Sequence, residues 1–338
     1  MIPAALLATA LFAAPGCHLL SGVADLEFVD QGGSSGSSAT GGAGGQAGHG
    51  GFGAGGGMGG ASPLELASNE GSIEDIAIDD THVYWLSAGQ VRRVDKTGGQ
   101  VASIGPLVDT PIQLQADGTY VYLSSGAVSG VYRLVIADGS LALFAETGGA
   151  LTHGLAQDAS FVYWTENPEG YVARIGKADG SPVEPLTSGQ NAPTLVAVNA
   201  TQVVWYNEGD DSIQALPVAG GTPTYLVAGQ AAVDLAIDDT AAVWTSSGAG
   251  AVIRYDFASQ TSDTLEAGLG DPGGIALVAG RAFACDATAG RIVAVPVAGG
   301  AVEDVASDPG GPRHLVADGT GLYWSNDSGQ VLHLPISR

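Results

Sequence analysis

Two histidines, three carboxylates, a glutamine and an arginine stand at matching points of a sequence that repeats itself. Each repeat is counted from a marker position, held by Trp85, Leu123, Trp164, Trp205, Trp244, Ala284 and Trp324. Ten residues before the marker stand Asp75, Gln113, Gly154, Leu195, Asp234, Gly274 and His314. One residue earlier stand Glu74, Ile112, His153, Thr194, Val233, Gly273 and Arg313. If the repeats surround an axis, Glu74, Asp75, Gln113, His153, Asp234, Arg313 and His314 gather in one funnel. Imidazoles beside carboxylates can move protons, and the same set can bind a metal. A ring of solvated loop ends fits these positions too, because spacing alone does not make side chains converge.

The elements that must position these residues follow from the period. Successive markers are 38, 41, 41, 39, 40 and 40 residues apart. That spacing suits a four-stranded propeller blade or a helical repeat. Runs of Val, Ile, Thr, Tyr and Trp, broken by Gly, Asp and Ser, favour strands. The first copy divides into Glu74–Ile78, His82–Leu86, Gln90–Val94 and Gln100–Ile104. The turn before the fourth run carries Asp138-Gly139, Asp179-Gly180, Gly220-Gly221 or Gly299-Gly300, residue pairs that allow positive φ. Ser259-Gln260 breaks this rule and predicts a turn of another type. Eight residues before the marker, five of seven copies have Ala, which suits strands crowded at an axis. Six before it, Asp79, Asp117, Asp158, Asn199, Asp238 and Asp318 are placed to bond the next turn's backbone. The last copy ends before its fourth strand, and Ser62–Ser68 resembles one. The expectation is an all-β, seven-bladed β-propeller of four-stranded blades, the last completed by an N-terminal strand.

The stretch Tyr163–Glu166, with Ala178–Ser181, resembles the YWTD repeat, and the wider pattern is similar to NHL-type bacterial propellers. Most copies lack the acidic fourth residue of that motif. The resemblance therefore implies the fold rather than an activity. Gly310–Val331 is similar in general form to a repeat of the streptogramin-lyase propellers. That likeness, with the lactonase propellers, implies metal-assisted chemistry at the channel mouth. His153 and His314 would then be acid and base, with Asp75 and Asp234 as metal ligands.

The apolar start Met1–Ala14 followed by Gly16-Cys17 resembles a bacterial lipoprotein signal, with lipid on Cys17. Residues 18–61 read as a Gly/Ser-rich tether and 62–338 as the propeller. Signal, cysteine and tether together resemble envelope lipoproteins of GC-rich Gram-negative soil bacteria. The expected location is the cell envelope, lipid-anchored and periplasmic or surface-exposed, with secretion as the alternative. The net charge of −24, from 35 acidic and 11 basic residues, argues against nucleic acid as a partner. Cys285 reads as a buried core residue. The loops after the second strands add Glu166, Glu169, Glu208, Asp210, Asp211, Asp286 and Asp327. Of these, Asn207–Ser212 has the oxygen ligands that calcium favours but lacks the full calcium-loop pattern, and reads as a solvated loop.

No contiguous catalytic motif is present, and no cofactor is implied. The reading is a monomeric binding or interaction scaffold, with a protein, peptide or glycan as partner and Asp75, Gln113, His153, Asp234, Arg313 and His314 at its ligand face. Whether it is an enzyme is left open, with the weight against. The alternative is a metal-dependent lyase or lactonase-type enzyme with its site at the channel mouth.

Overall fold

The structure, a computed structural model, describes residues 27–28, 62–126, 130–147 and 151–337. The signal segment and most of the tether lie outside the described residues. Seven antiparallel sheets follow one another along the chain; six have four strands in chain order, and the last joins the three final strands to two N-terminal ones. Their inner strands are Ile73–Ile78, Pro111–Ala116, Leu151–Gln157, Pro193–Val198, Ala232–Ile237, Pro272–Val278 and Pro312–Ala317. They define blades 1 to 7 of a β-propeller, as the period predicts.

Burial explains the marker. Each second strand is covered by the neighbouring blade on either face, so its central residues are buried without alternation. Val83, Tyr84, Trp85 and Leu86 are all fully buried. The blades therefore share their cores. Ala77, Tyr84 and Leu86 of blade 1 pack with Leu114, Val121 and Leu123 of blade 2. A buried indole N–H still needs an acceptor. Trp85 donates to Glu70, Trp205 to Gln190 and Trp324 to Asp308, at 2.8–3.0 Å. These acceptors lie in the loops that enter the inner strands, so the markers also hold the rim of the channel.

The Asx expectation holds in detail. Asp79 Oδ1 accepts from the backbone N–H groups of Thr81 and His82, both at 2.7 Å, and its Oδ2 accepts from the Tyr84 hydroxyl at 2.6 Å. Asp158 and Tyr163 repeat the arrangement. Blade 6 has Val278 there, and its turn changes to a two-residue hairpin with Ala279 and Gly280 at φ 50° and 72°. The expectation for Ser259-Gln260 does not hold. Gln260 N–H bonds Asp256 O just as Gly139 N–H bonds Val135 O, and Gln260 adopts the left-handed φ of 58° without glycine. Asp256 Oδ1 stabilises that turn by accepting from Ala258 and Ser259.

Ring closure follows the sequence reading. Leu64–Ala67 pairs antiparallel with Val331–Ser337 and gives blade 7 its fourth strand. Glu27–Phe28 pairs further along the same edge, opposite Ile336 and Ser337. Leu66 and Ala67 pack with Ile73, Val83 and Trp85 of blade 1 and with Tyr323 and Val331 of blade 7. Lys96 and Asp318 form an ion pair across the same seam.

The seam separates two neighbouring leucines. Leu66 is 6% exposed and Leu64 is 49% exposed. Leu66→Ala should cost about 2–3 kcal/mol, as a buried truncation does. Leu64→Ala should stay within about 0.5 kcal/mol. Denaturant melts of the two variants check this, and equal losses would mean that the closing strand is not packed as described.

Candidate functional site

Every inner strand carries a β-bulge near its start, between residues such as Ile73 and Asp75, Pro111 and Leu114, or Ala232 and Asp234. A bulge leaves backbone groups without ladder partners and re-aims side chains. The residues ten before the marker answer this need. Asp75 Oδ2 accepts from Leu114 N–H of the next blade at 2.9 Å, Gln113 Oε1 from Leu155 N–H at 2.8 Å, and Asp234 Oδ2 from Ile275 N–H at 2.9 Å. Ser124 and Thr245, one residue after their markers, donate to His153 O and Gly273 O of the following blades at 2.8 and 2.6 Å. At Gly154 an added Cβ would stand 2.6 Å from Thr194 O and 2.8 Å from Val196 N, so the blades meet there backbone to backbone.

Three of the six sequence-chosen residues are thus inter-blade ties. Burial pushes the Asp75 carboxyl up to about 7, against the pull of the Leu114 and Ile76 N–H groups, and the Asp234 charge adds to the rise. Burial likewise raises Asp234 to about 6, opposed by Ile275 and Leu235. Their oxygens are engaged by backbone, and among the described residues no three His, Cys, Asp or Glu side chains converge as a metal site. The donor set therefore does not fit the metal-ligand role expected for Asp75 and Asp234.

The other three sit at the rim. Arg313 is clamped: Nε and Nη2 each lie 2.8 Å from Asp327, and Nη1 lies 2.6 Å from Asp271. It is held by ion pairs on both sides rather than presented to a ligand. His314 reaches back over the seam, with Nδ1 3.8 Å from Asp75 Oδ1. Burial lowers the His314 pKa, opposed by the Ile73 backbone, so its imidazole is neutral at pH 7. His153 is also lowered by burial, with the Glu208 carboxylate pulling the other way. The structure therefore brings His314 and Asp75 together. It leaves His153 apart, beside blade 4.

Several acidic loop residues turn out to be structural. Glu166 accepts the Trp164 indole at 2.8 Å, and Asp286 pairs with Arg291 at 3.3 Å. The calcium-like stretch is internally bonded, with Asp210 accepting from Ser212 N–H and Asp211 from the Tyr206 hydroxyl. Sequence reasoning missed a cleft of about 370 Å³ on the mouth face, over blades 4 and 5. Leu195, Ala232 and Val233 give it apolar walls, and Tyr206, Glu208 and Asp211 give it a polar side.

No protein family matches the sequence, and no curated protein matches it. The fold does match solved structures. Virginiamycin B lyase from Staphylococcus aureus superposes with a TM-score of 0.68 at 13% identity, over 81% of this chain and 98% of that chain. A catalytically inactive histidine-to-alanine form of that lyase with quinupristin gives 0.69, at the same identity and coverage. BamB from Moraxella catarrhalis gives 0.51 at 15% identity, over 79% of this chain and 84% of that chain. At such identities the likeness establishes the fold. It also overturns the weighting against an enzyme. That weighting rested on the lack of a contiguous motif, and a lyase has the same architecture over nearly its whole length. A propeller site takes single residues from separate blades, so a missing motif is no evidence against catalysis.

The raised carboxyls fix the sign of a pH effect. The folded chain holds these protons more tightly than the unfolded chain, whose Asp titrates near 3.9. Their contribution is complete below about pH 4 and is lost as pH rises through about 6 for Asp234 and 7 for Asp75. For Asp75 it is on the order of 3–4 kcal/mol. Asp75→Asn keeps an oxygen for Leu114 N–H and removes the charge. It should melt roughly 6–16 °C above the wild type at pH 8 and gain about a third as much at pH 5. A gain equal at both values would show that the carboxyl does not titrate in this range.

Proposed function

We propose that the chain is an enzyme of the propeller-lyase kind, opening a ring or eliminating a group by acid–base chemistry at the channel mouth. The observation that carries the reading is His314 beside Asp75: a neutral imidazole 3.8 Å from a carboxyl that titrates near pH 7. That separation exceeds a hydrogen bond. Such contacts commonly close only when substrate is bound. His314 takes a proton from the substrate, and protonated Asp75 across the seam supplies one. Perturbed groups of opposite tendency that face each other are what such chemistry needs. The clamp of Asp271 and Asp327 on Arg313 fixes the backbone immediately before His314. The lyase likeness supports the reading, and the acidic surface favours a neutral or cationic substrate over an anionic one.

The same proposal includes a setting. Lipid on Cys17 and a tether over 18–61 would hold the propeller, 62–338, at the cell envelope. The Gly16-Cys17 signal and the glycine-rich composition support this, and the fold likeness to BamB is consistent with it. In this setting the YWTD/NHL-like repeat is scaffold.

The test is turnover of quinupristin and a panel of lactones and cyclic depsipeptides by the purified chain, followed by mass spectrometry. Elimination opens a ring with no change of mass, and hydrolysis adds one water. His314→Ala should abolish turnover, and Asp75→Asn should lower it by roughly a hundredfold. The limb of the rate profile set by His314 should lie below the ordinary histidine range of about 6.5. Undiminished turnover in His314→Ala, or no turnover of any panel member, would sink the reading.

A further inference from the structure

In a ring of like repeats, residues that serve the fold recur, and residues that break the pattern need another explanation. The breaks in blades 4 and 5 fall together. Ten before the marker, the other blades carry a carboxylate, an amide, an imidazole or glycine, and blade 4 carries Leu195. One earlier, blade 5 has Val233, 38% exposed, and blade 2 has Ile112, where blades 1, 3 and 7 have Glu74, His153 and Arg313. One after the marker, blades 2, 3, 5 and 7 have Ser124, Thr165, Thr245 and Ser325, blades 1 and 6 have the buried Leu86 and Cys285, and blade 4 has Tyr206. Six after it, Gly170, Gly250 and Gly290 adopt left-handed φ of 76°, 57° and 62°. Blade 4 puts Asp211 into that conformation, at φ 55°. Only Gly visits this region freely, with Asp and Asn next.

Leu195, Val233, Tyr206 and Asp211 line the one cleft over blades 4 and 5. The Tyr206 hydroxyl donates to Asp211 Oδ1 at 2.6 Å and aims the carboxylate. Neither Glu208 nor Asp211 forms an ion pair among the described residues, where Arg133, Arg174, Arg254 and Arg281 all find carboxylates of their own. The imidazole near Glu208, His153, is kept neutral by burial and does not offset the charge. The volume is that of a small-ligand site, in which Thr194, Tyr206, Glu208, Asp211 and Ser247 stand with Leu195, Ala231, Ala232 and Val233.

We propose that this cleft binds the protonated amine of an amphiphilic ligand, with the apolar body against Leu195 and Val233 and the ammonium group between Glu208 and Asp211. Its role as the substrate-selecting part of the mouth rests on the catalytic reading above. The binding itself does not.

The probe is phenylpropylammonium, compared with phenylpropanol and phenylpropanoate, titrated calorimetrically into the full chain. The ammonium should bind most tightly, the alcohol more weakly and the anion not at all. Added salt should weaken only the ammonium. Glu208→Gln and Asp211→Asn should each weaken the ammonium roughly two- to fivefold and leave the alcohol unchanged. Asn tolerates the left-handed conformation, so Asp211→Asn keeps the loop. Asp239→Asn, at an exposed turn between inner and second strands, should change nothing. Equal affinity for ammonium and alcohol, no binding of the ammonium, or an equal loss in Asp239→Asn would overturn the proposal. The last outcome would assign the attraction to the diffuse charge of the chain. Because no turnover is read, failure of the catalytic reading leaves this test intact.

Discussion

The constraint on which this ring depends is the backbone N–H that each inner-strand bulge frees toward the preceding blade. A propeller has no core at its centre, so its blades must be fastened to one another where they crowd the axis. Three seams solve this with an acceptor side chain, from Asp75, Gln113 and Asp234. Gly154 and Gly274 mark seams where the backbones approach too closely for any side chain. Either solution fixes the bulge, and the bulge fixes which way the rim residues point. Fold and site are thus one arrangement.

This explains what the sequence could and could not convey. The strand order, the Ala at the axis, the Asx turns and the closing strand at Leu64–Ala67 were legible because each reflects a local backbone need repeated around the ring. The Asx bond from Asp79 reaches only to Thr81 and His82. The ties from Asp75, Gln113 and Asp234 reach 39, 42 and 41 residues ahead, into another blade. Spacing put these residues at the mouth but could not show that their oxygens were already engaged. The ion pairs of Arg313 were hidden for the same reason, since Asp271 lies 42 residues away. Ser259-Gln260 was misjudged differently. A dipeptide rule missed that Asp256 can hold the turn by side-chain bonds while Gln260 accepts the positive φ.

Repetition also changes what counts as a signal. In a single-copy fold, Leu195 or Tyr206 would pass as ordinary packing. Here six other blades show what the scaffold asks of the same positions, so a departure is measurable without any relative. Leu195, Tyr206 and Asp211 of blade 4, which no other blade matches at their positions, line one cleft with Val233 of blade 5. The replacement in blade 6 of the Asx residue by Val278 shows the contrast. It is compensated within its own turn by Ala279 and Gly280.

The carboxyls at the axis connect stability to chemistry. An acceptor that must reach the next blade has to be buried, and burial holds the proton on Asp75 and Asp234 well above the usual range. The chain could have used glutamine throughout, as at Gln113, and removed the pH-dependent loss of stability. Gln113 shows that an amide oxygen makes the same bond, at 2.8 Å. The backbone bond therefore does not explain why two seams carry an acid instead. At Asp75 the difference has a visible consequence: the acid faces His314 across the closing seam, where an amide could not exchange a proton. The ring gives up neutral-pH stability at the seam that holds its imidazole–carboxyl pair. On the proposed acid–base reading, that choice serves proton transfer at the mouth.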